Sequence, residues 1–275
     1  KNGKTWENLR KSFLFPGKWY KIDEIQKDNL FWRNDMLTLK QVCWKPDDRD
    51  AVLKGIDLTI KPGKLTVVTG PNGGGKTSLA KVIAGLNSIT GGSIHLDDID
   101  ITNMDITERA KLGISYAFQQ PVRFKGITVR SLLDLAAGGD IGDENVCELM
   151  AKVGLCTKDY IDREINAQLS GGEIKRIEIA SVLARKNSRL LIFDEPEAGI
   201  DLWSFTGLID TFENLKKEED KGLLVISHQE RLLEIADEIA VIVDGKVRIT
   251  GPGREIMPQL MAGEKFGVCP IGKEW

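Results

Sequence analysis

Gly70-Pro71-Asn72-Gly73-Gly74-Gly75-Lys76-Thr77 fits the pattern G-x-x-x-x-G-K-[ST]. An apolar, strand-like run, Leu65 to Thr69, leads into it. A helix-like run, with Leu79, Val82, Ile83 and Leu86 on one face, leads out. Strand, glycine-rich loop and helix is the order in which a backbone can wrap a phosphate. Glycines allow the tight path that turns successive N–H groups toward phosphate oxygens. The helix start adds partial positive charge. Lys76 has the reach for β- and γ-phosphates, and the Thr77 hydroxyl is a ligand for Mg²⁺. Gly70 to Thr77, with Ser78 behind them, are therefore expected to bind a nucleotide.

Composition bounds the rest. The chain has 275 residues, 41% hydrophobic and 29% charged, which suits one large domain or a domain with a subdomain. A net charge of −3 implies no general attraction to nucleic acid or to an anionic membrane. No apolar stretch approaches bilayer length and nothing reads as a signal peptide, so a cytoplasmic protein without membrane insertion is expected. Cys43, Cys147, Cys156 and Cys269 form no C-x-x-C pair, which reads as four reduced thiols rather than a zinc or cluster site.

Residues 1–35 stand apart. They hold seven of the chain's eighteen aromatics and eight basic residues against five acidic ones, with no clear period. They read as an extension of unknown role, followed by one domain over 36–275. Within that domain, Gly91 to Asp98 reads as a hairpin edge. Ile239–Val243, Asp244-Gly245 and Val247–Ile249 read as a hairpin with a type I′ turn. Strands alternating with helices predict a mainly parallel sheet. From about 122 to 186 the pattern turns helical, which predicts an inserted subdomain.

Three downstream segments narrow the reading. Leu169-Ser170-Gly171-Gly172-Glu173 precedes an apolar-periodic run. Ser-x-x-Glu there is a helix capping box, and a glycine-rich helix start is also an anion site; both readings hold together. Leu190 to Phe193 is an apolar strand ending in Asp194-Glu195-Pro196, and Leu223 to Ile226 is another, ending in Ser227-His228. This order resembles the ATP-binding cassette (ABC) ATPases, over roughly Leu37 to Gly251. The resemblance implies an α/β P-loop NTPase fold, with a RecA-like core, an N-terminal antiparallel β subdomain and an inserted helical subdomain.

The resemblance also implies ATP and Mg²⁺ as cofactors and a role for each motif. Thr77, Asp194 and Gln119, the last within Phe118-Gln119-Gln120-Pro121 (the Q-loop), would hold Mg²⁺. Glu195 would polarise the attacking water, with Gln119 and His228 beside it. Ser170, Gly171 and Gly172 would cover the nucleotide of a second protomer, which requires an ATP-dependent homodimer. Ala198-Gly199-Ile200-Asp201 occupies the D-loop, where Ala198 stands in place of a common serine. Gly74 stands where serine or alanine is commoner and is expected to loosen the loop slightly. Trp44 is the candidate for stacking on adenine, with a place in the core as the alternative.

Transporter cassettes usually read LSGGQ. Here Glu173-Ile174-Lys175-Arg176-Ile177-Glu178 follows the glycines, which resembles SufC, the ATPase of SUF iron–sulfur cluster assembly. Phe118 to Val122, Ile106-Thr107-Glu108-Arg109-Ala110 and Gly199 to Phe205 resemble the SufC-like ATPases of minimal SUF systems. That resemblance implies a SufB-like scaffold as partner. The alternative is the ATP-binding subunit of an ABC membrane transporter.

Overall fold

The computed structural model describes residues 12–15, 18–21, 35–47, 49–120, 122, 124–166 and 168–262. Pro121, Cys269 and most of the N-terminal extension lie outside them. The chain divides into two compact units, Lys1–Asp35 and Met36–Trp275. In the first, β1 (Ser12–Phe15) and β2 (Lys18–Lys21) pair antiparallel.

The second unit is built on strands, several of them buried along their whole length. Among them are β5 (Leu65–Thr69), β8 (Ile114–Ala117), β9 (Leu190–Asp194) and β10 (Gly222–Ile226), followed by β11 (Glu238–Val243) and β12 (Lys246–Pro252). They form one sheet in the order β12-β11-β5-β10-β9-β8. All neighbours run parallel except β11 and β12. Every residue of β5, β9 and β10 is buried. A parallel sheet covered on both faces demands this unbroken burial. Leu191, Phe193, Leu223 and Val225 face one core, and Leu190, Ile192, Leu224 and Ile226 face the other.

The second core is closed by an antiparallel sheet and the helix after the phosphate loop. That sheet comprises β3 (Leu37–Trp44), β4 (Leu53–Ile60), β6 (Gly91–Leu96) and β7 (Ile99–Asp100), in the order β4-β3-β6-β7. The helix, α1, spans Lys76–Ala84 and ends at Gly85 in the left-handed region (φ 81°). Leu86 therefore falls beyond the helix and is 38% exposed, contrary to the periodic reading. The first core is closed by helices that include α3 (Val129–Ala137), α4 (Asp143–Lys152), α5 (Thr157–Tyr160) and α6 (Gly171–Ala184), all within the stretch read as helical.

Two local devices hold the loop region in place. The first is in α2 (Ile106–Lys111), where Arg109 is buried and donates to the carbonyls of Val82 and Ile83 at 2.6 and 2.9 Å. It also reaches Thr102 O and Met104 O, both at 3.0 Å. A guanidinium thus caps the C-terminal carbonyls of α1, where a helix leaves acceptors unpaired and negative. The second is the β11–β12 turn, where Asp244 (φ 50°) and Gly245 (φ 74°) make the type I′ geometry. Gly245 N donates to Gly74 O at 3.0 Å and Gly245 O accepts from Lys54 N at 2.8 Å. The hairpin so ties the phosphate loop to β4.

Candidate active site

The parallel strands deliver their C-terminal ends to one rim, the place where open α/β sheets bind ligands. β5 runs into the glycine loop. At Gly70 (φ 132°) an added Cβ would lie 2.1 Å from Ile242 O, so only glycine fits. Gly75 (φ 103°) is the N-cap of α1, and no side chain caps it. The first amides of α1 therefore have neither intrahelical partners nor a capping side chain, which suits an anion. Gly74 departs from expectation. A Cβ there would lie 2.8 Å from Ile242 O and 3.0 Å from Pro71 O, so glycine lets the loop pack tightly on β11 rather than loosening it.

An open pocket of about 500 Å³ is lined by Val52, Asn72, Gly73, Gly75, Lys76, Thr77, Ser78, Gln119 and Glu195. Lys76 is 6% exposed, and its Nζ donates to Gly70 O (2.7 Å) and Pro71 O (3.0 Å). Burial lowers its pKa, against the pull of Glu195 and Asp194. Asp194, at the end of β9, is wholly buried; it accepts from Thr77 Oγ1 at 3.3 Å and from the Tyr116 hydroxyl at 3.0 Å. Burial pushes its carboxyl up, and these two donors pull it back. The Tyr116 hydroxyl is itself pushed far up by burial and by Asp194, so it stays a donor.

Glu195 adopts the left-handed region (φ 47°), a conformation that costs a non-glycine residue about 1–3 kcal/mol. Its backbone N–H donates to Ile226 O at 3.0 Å, and its Oε2 accepts from Gln119 Nε2 at 2.8 Å. His228, past the end of β10, places Nδ1 3.4 Å from Thr69 Oγ1. Burial, then the Lys76 charge, lower its pKa, against Glu195. The imidazole is therefore neutral at pH 7. Gln119, Glu195, Asp194, Thr77, Lys76 and His228 thus converge on one rim from four segments.

Other candidates lie apart from this pocket. Ser170 caps α6 in a full capping box with Glu173: Glu173 N donates to Ser170 Oγ (3.2 Å) and Ser170 N to Glu173 Oε2 (2.6 Å). Tyr160 donates to the same carboxylate at 2.6 Å. Gly171 faces open space, whereas a Cβ on Gly172 would lie 2.3 Å from Gly199 O, so the D-loop rests directly on the signature turn. Neither these residues nor Trp44 lines the phosphate pocket. Trp44 ends β3 opposite Leu53 and packs against the core around the antiparallel sheet, while Val52 borders the pocket.

Lys175 and Glu178 were legible only as part of a resemblance. In the fold they clamp the Q-loop. Lys175, fully buried in α6, donates to Phe118 O, to Asp194 O at 3.2 Å and to Gln119 O at 3.5 Å, and lies 3.6 Å from Glu178 Oε2. Glu178 Oε1 accepts from Phe118 N at 2.9 Å. One helical turn thus holds both backbone groups of Phe118 and the end of β9. The i, i+3 spacing of opposite charges was the available signal, but it does not say that the pair is buried.

Comparisons with known proteins agree with this geometry. The family described as "ABC transporter" matches residues 53–198. The uncharacterised ABC transporter ATP-binding protein MJ0035 of Methanocaldococcus jannaschii is 40% identical, over 81% of this chain and 92% of its own. A probable ATP-dependent transporter, ycf16, of Antithamnion sp. is 34% identical over the same shares. Among solved structures, the dimeric ATP-binding cassette MJ0796 bound to ADP and Pi superposes with a TM-score of 0.71 at 25% identity, covering 80% of this chain and 99% of that one. An ATP-bound bacterial Atm1-family exporter gives 0.73 at 21% identity, covering 82% of this chain and 40% of that one, a likeness of fold. The chain belongs to the ABC ATPase family: it has the cassette fold, and it binds ATP with Mg²⁺ and hydrolyses it.

Proposed function

We propose that this chain is the ATPase of an iron–sulfur cluster assembly machine, that two copies close around ATP, and that closure reshapes a SufB-like scaffold. In this reading Lys76 and the loop amides from Asn72 to Ser78 hold the phosphates. Glu195 orients the attacking water, His228 and Gln119 complete its surroundings, and Ser170 to Gly172 cover the partner copy's nucleotide. Trp44 remains a proposal for adenine contact, with Val52 beside the pocket. Among the described residues no cluster of three or more His, Cys, Asp or Glu could ligate a metal unaided. Mg²⁺ suits the site because it is commonly held by one or two carboxylates plus substrate phosphates. Asp194, the Thr77 hydroxyl and the Gln119 amide oxygen supply hard oxygen donors here. When bound, the ion neutralises charge on the β- and γ-phosphates; orienting the water and gripping the phosphates are the work of the chain's own residues.

The Lys175–Glu178 clamp carries the choice of scaffold over transporter. It ties the helix turn at which this sequence departs from the transporter pattern to the segment expected to meet a partner. Next to that segment lies an apolar groove of about 130 Å³ lined by residues including Phe118, Val122, Phe124, Leu132 and Ile177. Val122 and Phe124 are 44% and 37% exposed. Among the described residues no helix is long and apolar enough to cross a membrane, so either reading needs a separate partner. The transporter reading is favoured by the names of the relatives, which are ABC transporter ATP-binding proteins. Affinity purification of the tagged chain from its own cells separates the two. A SufB-like scaffold lost on substituting Val122 and Phe124, with ATP affinity unchanged, supports the proposal. A membrane permease and no scaffold overturns it.

A further inference from the structure

Asp194 and Glu195 account for two of the three carboxylates in Asp194-Glu195-Pro196-Glu197; the third has no part in the chemistry described so far. Glu197 Oε1 accepts from Ser227 Oγ at 2.6 Å, and Glu197 Oε2 is buried with no hydrogen-bond partner. A buried carboxyl oxygen without a partner costs free energy, so its retention calls for a reason. Ser227 is wholly buried. Its proton goes to Glu197, which turns the oxygen's lone pairs toward Gln229 N–H, 3.0 Å away. Its own N–H is fixed on Val68 O at 3.1 Å. That Ser227 Oγ to Gln229 N bond is a serine turn, which bends the chain at the residue between. The residue between is His228.

We propose that Glu197 is a positioning residue for hydrolysis: by fixing the Ser227 hydroxyl it sets the turn that aims the His228 ring. The same residue immediately precedes the D-loop. Ile200 N donates to Glu197 O and Ala198 N to Glu195 O, both at 3.1 Å. These bonds connect the 198–201 loop through Glu197 to His228, just past the end of β10, parallel to the tie from Glu195 N to Ile226 O. The groups facing the carboxyl are Ser227 and the His228 amide on the β10 side, Glu195 on its own segment and Lys175 on α6. Burial and the like charge of Glu195 push the acid up, against Ser227.

This inference rests on the roles proposed for Glu195 and His228, so the experiment includes them. The assay is steady-state ATPase with separate ATP binding by calorimetry. Glu197→Ala is expected to lower kcat about tenfold, the factor expected from loss of one hydrogen bond, with KM and ATP affinity unchanged. Glu197→Gln keeps the acceptor for Ser227 and stays within about threefold of the parent. Ser227→Ala repeats the loss, and the double variant Glu197→Ala/Ser227→Ala loses no more than either single one. Full kcat in Glu197→Ala, or equal losses in Glu197→Gln and Glu197→Ala, or additive losses in the double variant, each overturn the proposal. Parent-like turnover in Glu195→Gln or His228→Ala would instead overturn the reading of the site beneath it. If Glu197→Ala fails to fold, Glu197→Gln against Ser227→Ala gives the same contrast.

Discussion

Replacing Lys175 by Met tests whether the clamp on the Q-loop is as consequential as its geometry implies. The ammonium is fully buried, touches the carbonyls of Phe118, Gln119 and Asp194, and faces Glu178 at 3.6 Å. Burial alone disfavours its charge and that of Glu178, so each ion depends on the other. Removing one partner of such a pair leaves a buried charge uncompensated and costs about 3–5 kcal/mol. For a unit of this size that corresponds to a melting temperature lower by about 6–20 °C. Removing both charges, in Lys175→Met/Glu178→Gln, keeps the acceptor for Phe118 N and leaves no buried ion. The double variant should therefore recover about 1–3 kcal/mol of the loss. Urea unfolding of the parent, both single variants and the double variant, closed as a thermodynamic cycle, reads these values. Parent-like stability in Lys175→Met, or costs that simply add in the double variant, would refute the argument that the pair is electrostatically coupled in the interior.

The remaining expectations follow from the same contacts. Arg109→Leu removes a donor from two carbonyls at the end of α1 and from those of Thr102 and Met104, so denaturant unfolding should show a loss of about 2–4 kcal/mol. Lys76→Ala removes the cation at the phosphate loop; calorimetry should show ATP affinity weaker by at least tenfold, since a charge-assisted hydrogen bond is worth about 1.5–3 kcal/mol. Glu195→Gln keeps shape and binding but not the carboxylate that Gln119 contacts, so gel filtration with ATP and Mg²⁺ should show a long-lived dimer with turnover abolished. His228 has its pKa lowered by burial and by Lys76, so it is neutral at pH 7 and gains its proton only below the ordinary histidine value of about 6.5. Turnover should hold level from pH 8 toward pH 6.5 and fall only on further acidification, a limb that His228→Gln removes.

The fold was legible because its decisive segments are local. Leu65 to Thr69, Leu190 to Asp194 and Gly222 to Ile226 are short, largely apolar runs, and all their residues are buried, as strands of a parallel sheet covered on both faces are. The turn residues Asp244 and Gly245 state their own left-handed geometry. The phosphate loop was legible for the same reason, since its glycines and Lys76 act within eight residues. What escaped depends on contacts that no local pattern encodes. Tyr116 meets Asp194 across two strands, Val52 reaches the pocket from the other sheet, and Gly74 is explained by Ile242 far along the chain. For Trp44 the sequence leaves adenine contact and a place in the core both open, and only strand register sets it opposite Leu53 and against the core.

Charged residues mark the boundary most clearly. Lys175, Glu178, Arg109 and Glu197 all look like ordinary solvent-facing positions in a chain that is 29% charged. Arg109 and Lys175 are nonetheless fully buried, and the carboxyls of Glu178 and Glu197 each bury an oxygen that makes no hydrogen bond. Burying such groups is costly, so each persists where it holds backbone that the hydrophobic core cannot hold: the end of α1, the Q-loop, and the turn before His228. Of these, the Q-loop lines the phosphate pocket through Gln119, and the end of α1 anchors the helix whose first turn lines it. The apolar core thus fixes where the strands end, and the buried charges fix how the loops beyond those ends are set. Substituting core residues should accordingly change stability with little change in kcat per folded molecule, whereas substituting Lys175 or Glu197 should change kcat even where the fold survives.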